Sequence, residues 1–201
     1  MDVSPGRSTQ SCKASRAKAS QGTENRPLGL SGAPKIALGS VLGDPEAPNT
    51  VIEYFSLTCG QCAKFHANVL PKIKKNLINT GKAKFISRDF PLNNLAILAH
   101  MVGRCAPRKY YRPYVTTLFK NFNSWTRKSD PVAALKQMAK LGGMGSEKFD
   151  SCLKNEELYQ GIRKKMSEYT KNFGVDSTPT IIVNGKKVDG DYSSIEKMIN
   201  K

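Results

Sequence analysis

The chain predicts an α/β fold, a small sheet core interrupted by a helical subdomain, and three stretches carry that prediction. Val51 to Leu57 is short, β-branched and aromatic, and apolar nearly throughout, which suits a strand buried on both faces. Ninety residues separate a second strand ending near Asp89 from a third starting at Thr180. That is far too many for a loop, and apolar positions within them repeat at helical spacing. Thr180 to Val183, an Asn184-Gly185 turn and Lys186 to Asp189 then read as a hairpin. The 201 residues suit one such domain, and a hydrophobic content of 39% excludes wholesale disorder. The longest apolar-rich run, Leu95 to Val102, is broken by His100 and falls well short of the roughly 18 residues a membrane span needs. A net charge of +16 raises the question of nucleic acid. The pairs Lys74-Lys75, Lys164-Lys165 and Lys186-Lys187 form no stripe with interleaved aromatics, so that partner is not expected.

Residues 1–35 read as a disordered basic arm, with six basic residues against Asp2 and Glu24 and no aromatic. No apolar core of a secretory signal precedes Leu28, and Cys12 reads as an incidental thiol. The folded part is expected over residues 36–201, with the helical insertion at about 92–174. After the first strand come Cys59-Gly60-Gln61-Cys62 and then Phe65, Val69, Leu70, Ile73 and Leu77, whose spacing predicts a helix running from Ala63 until Gly81. Inside the insertion, Leu95 to Arg104 and Tyr114 to Phe122 carry helical periodicity. Asp130-Pro131 predicts the cap and first position of a helix through Leu141, Ser146 starts another through Leu153, and Glu156 to Phe173 ends at Gly174. Trp125 with Phe119, Phe122 and Tyr110-Tyr111 reads as the insertion's core. A last helix is expected behind a Ser193-x-x-Glu196 capping box.

The chemistry lies in the cysteines. Cys59 falls at a helix start, where free N–H groups and the positive end of the helix dipole stabilise a thiolate. In such a Cys-x-x-Cys motif a thiol pKa falls from about 8.5 into a range of about 3.5–7.5. A low pKa makes Cys59 both an attacking nucleophile and a good leaving group. Cys62, one turn further in, is the natural resolving thiol. Zinc would need two further ligands at similar close spacing, and Cys105 and Cys152 stand 47 positions apart with none nearby, so no metal is expected. His66, about 10 Å along the helix from Cys59 at 1.5 Å per residue, reads as a core or groove histidine rather than a catalytic base.

Phe55 to His66, followed by Val69-Leu70-Pro71, resembles the active-site segment of the DsbA-like thiol–disulfide oxidoreductases of the thioredoxin superfamily. Phe85 to Pro91 is similar to the family's next strand, and Val175 to Thr180 to the loop whose proline is cis; the likeness covers about Ile36 to Ile199. The resemblance implies a thioredoxin-like fold with an inserted helical subdomain. Pro179 would abut the cysteine pair, and Thr178 would offer backbone hydrogen bonds to an extended substrate. Glu53 would be a buried acid beneath the site, able to accept or donate the proton of Cys62. The alternatives are an ordinary loop proline and a strand-edge Glu paired with a lysine. Gly60-Gln61 replaces the Pro-His of many members. Gln61 offers an amide donor and Gly60 a free N–H, but neither stabilises a thiolate as a charge, which implies a milder oxidant. In relatives, cysteines placed like Cys105 and Cys152 form a structural disulfide; two free thiols are the alternative.

The activity so implied is oxidation of dithiols in exported, periplasmic proteins through a mixed disulfide on Cys59, without a cofactor. The implied partners are reduced or unfolded exported proteins and a quinone-linked membrane protein. The absence of a helical dimerisation stalk before the core favours a monomer. A reductase or isomerase, or a peptide-binding chaperone with no redox role, stays open at this point.

Overall fold

A computed structural model describes residues 39–201; the basic arm at 1–35 and Cys12 lie outside them. Five strands form one mixed sheet in the order β1-β3-β2-β4-β5: β1 (Gly39–Leu42), β2 (Asn49–Phe55), β3 (Ala83–Asp89), β4 (Thr180–Val183) and β5 (Lys186–Val188). The fold is thioredoxin-like, with the helical subdomain emerging after β3. Central β2 runs parallel to β3 and antiparallel to β4, so it is hydrogen-bonded on both edges. Packing on both faces buries the apolar run that predicted it: Val51 clusters with Phe65 and Ile73, Tyr54 with Tyr169, and both are wholly covered, as is Phe55. Strand β1 was not anticipated. It is four residues long and pairs antiparallel with β3 at the sheet edge, and four residues carry too little pattern to be seen in sequence. Asn184 and Gly185 both have positive φ (48° and 82°), as the predicted tight hairpin turn between β4 and β5 requires.

The helix after the cysteines is not continuous. It runs as α1 (Gly60–Asn68), breaks at Val69, resumes as α2 (Leu70–Ile73) and finishes in a π-helical turn over Lys74–Ile78. Pro71 explains the break, because it has no N–H to continue the ladder. The apolar positions still face the sheet: Phe65, Ile73 and Leu77 join Val51, Phe85, Ile181 and Val183 in one cluster.

The insertion comprises α3 (Asn94–Cys105), α4 (Arg108–Lys120), α5 (Phe122–Thr126), α6 (Pro131–Leu141), α7 (Ser146–Leu153) and α8 (Glu156–Phe173). Asp130 caps α6 by accepting from Ala133 N at 2.9 Å, and Gly174 closes α8 in the left-handed conformation. The expected helix at Tyr114 to Phe122 in fact begins at Arg108, six positions earlier, and carries Pro113 inside it. Burial of Tyr111 and Val115 on one face outweighs the proline there. Asn121 then separates α4 from α5. Trp125 and Phe119 are buried as expected, whereas Tyr110 is 46% exposed and does not belong to the insertion core. Cys105 and Cys152 are joined by a disulfide with Cα atoms 6.1 Å apart, tying α3 to α7.

The last helix, α9 (Tyr192–Ile199), is capped by Asp191 and not by the expected Ser193 box. The Asp191 carboxylate accepts from Ser194 N at 2.9 Å and from the Ser194 hydroxyl at 2.7 Å, so the helix starts earlier than Ser193 implies. Among the described residues no helix is long and apolar enough to cross a membrane.

Candidate active site

The end of β2, the loop Ser56–Thr58 and the first turn of α1 place Cys59 as the N-cap of that helix. Its sulfur accepts from Cys62 N at 3.2 Å and lies 3.3 Å from the Thr178 carbonyl. Thr178 and Pro179 are joined by a cis peptide bond immediately before β4, which brings this loop against the cysteines. Both cysteines are free thiols; Cys59 is half-buried and Cys62 fully buried. The two sulfurs therefore differ in kind. The Cys59 pKa is pulled down to about 6, first by the hydrogen bond from the Cys62 thiol, against a cost of burial, and then by Thr178 and the backbone N–H groups of Cys62 and Gln61. The Thr178 hydroxyl is buried and makes no hydrogen bond, so it is uncommitted beside that sulfur, whose pKa Thr178 lowers. Burial pushes the Cys62 thiol up, and the neighbouring Cys59 and Glu53 push the same way.

It is the backbone N–H of Gln61 that acts on Cys59, while its side chain is exposed. Gly60 is exposed too, and a Cβ there would meet only the Phe122 ring at 3.9 Å. In the reduced protein, thiolate absorbance near 240 nm is expected to titrate with a midpoint near 6, with no second transition from Cys62. A midpoint at the unperturbed thiol value would show that the Cys59 sulfur is not held as described.

Glu53 lies in the middle of β2, fully buried, opposite Ser87 of β3 and Ile181 of β4. Its Oε2 is 2.9 Å from His66 Nε2, and its Oε1 has no hydrogen-bond partner. His66 is thus a core histidine, as its spacing predicted, yet the partnership with Glu53 was missed. The visible signal was position: His66 is four residues beyond Cys62, so both share one face of α1.

A second buried group was also missed. Asp89 ends β3, and its carboxylate accepts from Arg104 Nε and a terminal Arg104 nitrogen at 2.6 and 2.7 Å and from the Tyr111 hydroxyl. His100 Nδ1 stands 3.2 Å from Asp89 Oδ1, an electrostatic contact rather than an aligned hydrogen bond. The other ring nitrogen, Nε2, accepts from Leu57 N at 3.3 Å, which fixes the backbone two residues before Cys59. No three His, Cys, Asp or Glu side chains converge as a metal site would require among the described residues.

A family model described as Thioredoxin matches residues 37–201. Among solved structures, α-DsbA1 of Wolbachia pipientis superposes with a TM-score of 0.70 and is 30% identical, over 81% of this chain and 87% of that one. The oxidised form of BdbD from Bacillus subtilis superposes with a TM-score of 0.71 at 26% identity, over 85% of this chain and 96% of that one. A Rickettsia bellii protein with a provisional protein-disulfide oxidoreductase name is 26% identical across 80% of this chain. The chain spans 63% of that protein's length.

Proposed function

The chain belongs to the thioredoxin family, and from that premise we propose that it is a thiol–disulfide oxidoreductase of the DsbA type that oxidises dithiols of exported proteins. The carrying observation is the asymmetry of the pair: an accessible Cys59 with a pKa near 6, capping α1, beside a Cys62 that burial keeps protonated. In the oxidised protein a substrate thiolate attacks the Cys59 sulfur. The Cys59–Cys62 bond breaks, its electron pair leaves on Cys62, and that sulfur takes up a proton. The second substrate thiolate then attacks the substrate sulfur of the mixed disulfide, and Cys59 departs as a thiolate. Its low pKa makes it the better leaving group of the two. The substrate has lost two electrons and the cysteine pair has gained them.

Thr178 and Pro179 serve the substrate side. The Thr178 carbonyl beside Cys59, just before β4 begins, offers a backbone group to a peptide lying across the site. Reoxidation of Cys59 and Cys62 calls for an oxidant such as the quinone-linked membrane protein expected by family analogy. The Cys105–Cys152 disulfide is of the kind that persists in oxidising compartments, which supports a periplasmic site of action.

A Cys59 pKa near 6 stands in the upper part of the range of about 3.5–7.5 for such motifs, in keeping with the milder oxidant that Gly60-Gln61 implies. The deciding experiment is the reduction potential of Cys59–Cys62 together with oxidative refolding of a reduced, unfolded ribonuclease. A potential above the glutathione poise with accelerated refolding is expected. A value near the about −270 mV of thioredoxin would make the protein a reductant and overturn the direction.

A further inference from the structure

Cys62 and Glu53 are both fully buried, so a proton that reaches or leaves the Cys62 sulfur needs a path to water. His66 is placed to be that path. Its Nε2 sits 2.9 Å from Glu53 Oε2, and its side chain retains 9% exposure where that of Glu53 has none. The imidazole is held by aromatic rings, with centroids 4.4 Å from Phe119, 5.8 Å from Phe55 and 6.1 Å from Phe65. Glu53 Oε1 meanwhile has no partner, so half of this buried carboxyl is uncommitted. Glu53 also acts electrostatically on Cys62, which places the carboxyl and the sulfur in one field.

We infer that His66 is a positioning residue for the proton step: it holds the Glu53 carboxyl beneath Cys62 and exchanges its proton with solvent. The inference rests on the thiol–disulfide exchange proposed above. When an attacking thiolate breaks the Cys59–Cys62 bond, the electron pair stays on Cys62, and Glu53 delivers one proton to that sulfur. His66 returns a proton to Glu53 through Nε2 and takes one from water at its other ring nitrogen. Reoxidation runs the same transfers in reverse, so one proton crosses the path for each bond broken or formed.

The other charged groups around the pair are few. From α1 there are the two thiols, and from α4 there is Arg112, which interacts with the Glu53 charge and whose Nε has no hydrogen-bond partner. His100 lies on another side of Phe55, 5.0 Å between centroids, with Asp89 behind it. Across the sheet, Ser87 and Ile181 are uncharged. Arg112 is fixed to the Ser40 carbonyl and stays charged, so it sets a constant field and does not supply the proton.

The test is the rate of reduction of the oxidised protein by dithiothreitol against pH, followed by the fluorescence of Trp125, which shares a core cluster with Cys62. His66→Gln keeps a donor for Glu53 but has no ring nitrogen to pass a proton on, and is expected to slow the reaction, expressed per dithiothreitol thiolate, by up to about 10²-fold near neutral pH and to change its remaining pH dependence. In a Glu53→Gln background the same substitution is expected to change little, because the two act in series. A His66→Gln profile that superimposes on that of the unmodified protein overturns the inference, as do effects of the two substitutions that simply multiply. Should His66→Gln fold poorly, the solvent isotope effect on the unmodified protein decides: rates in mixed H2O and D2O must curve with isotope fraction, as more than one proton moving together requires, and a straight line overturns the path. Dithiothreitol reports the exchange chemistry alone. Failure to refold a reduced ribonuclease while these results hold would therefore remove the proposed direction and leave the proton path standing.

Discussion

Cys59→Ser is expected to lower the rate of disulfide exchange by about 10⁴-fold or more, the size of loss that follows removal of a catalytic nucleophile. The reason is in the arrangement of the two sulfurs. Everything that favours an anion at this site converges on Cys59: the Cys62 N–H and thiol, the Gln61 N–H and Thr178. A serine oxygen there stays protonated across the accessible pH range and forms no disulfide. Cys62 cannot substitute, because it is fully buried and its thiol is held protonated by that burial and by its neighbours Cys59 and Glu53. Cys62→Ser should behave differently, with Cys59 still attacking but the resulting mixed disulfide surviving for want of a resolving thiol. Mass spectrometry after mixing each variant with a disulfide-bonded peptide distinguishes them: an adduct with Cys62→Ser and none with Cys59→Ser. An adduct on Cys59→Ser would assign the nucleophile to Cys62. Suppression of aggregation of an unfolded protein, measured on the same Cys59→Ser variant, separates exchange from a peptide-binding role.

What could be read in the sequence was whatever is local. The caps of α6 and α8 are written in adjacent residues, Asp130-Pro131 and Phe173-Gly174, and both stand where those residues place them. The redox motif is local too, because a strand, a Cys-x-x-Cys and a helix follow one another without a gap. The misses are of two physical kinds. Where two capping residues compete within one turn, as Asp191 and Ser193 do, the stronger set of hydrogen bonds wins, and only the geometry reveals it. Where a partnership is made by the sheet, as between Glu53 on β2 and His66 on α1, neither side chain announces the other along the chain. The same holds for the contact of His100 with Leu57 N, 43 residues apart. The sequence carried the sulfur chemistry, while the groups that support it came from the packing.

Asp89→Ala is expected to destabilise the domain by about 3–5 kcal/mol near neutral pH, the usual cost of removing one partner from a buried ion pair. The carboxylate is fully buried at the end of β3, and the substitution would leave the Arg104 guanidinium and the Tyr111 hydroxyl without it in an apolar setting. Burial by itself would raise the Asp89 pKa, but the His100 and Arg104 side chains more than offset this and hold the carboxyl well below the usual carboxylate range. The sign of the pH dependence follows from that depression. The stabilisation is complete above the unfolded-state pKa of about 3.9 and is lost as pH falls below it toward the folded value. Urea midpoints for the unmodified protein and for Asp89→Ala should therefore lie far apart at pH 7 and converge on acidification below about pH 4. A gap that is small at pH 7, or that does not close in acid, would show that the ion pair does not hold this end of the sheet. The consequence reaches the active site, because His100 stands between Asp89 and the Leu57 backbone that leads into Cys59. Asp89→Asn, nearly the same shape without the charge, is expected to lose part of the stability. It should also slow exchange at a temperature where it is still folded, because His100 no longer has an anion to orient its ring.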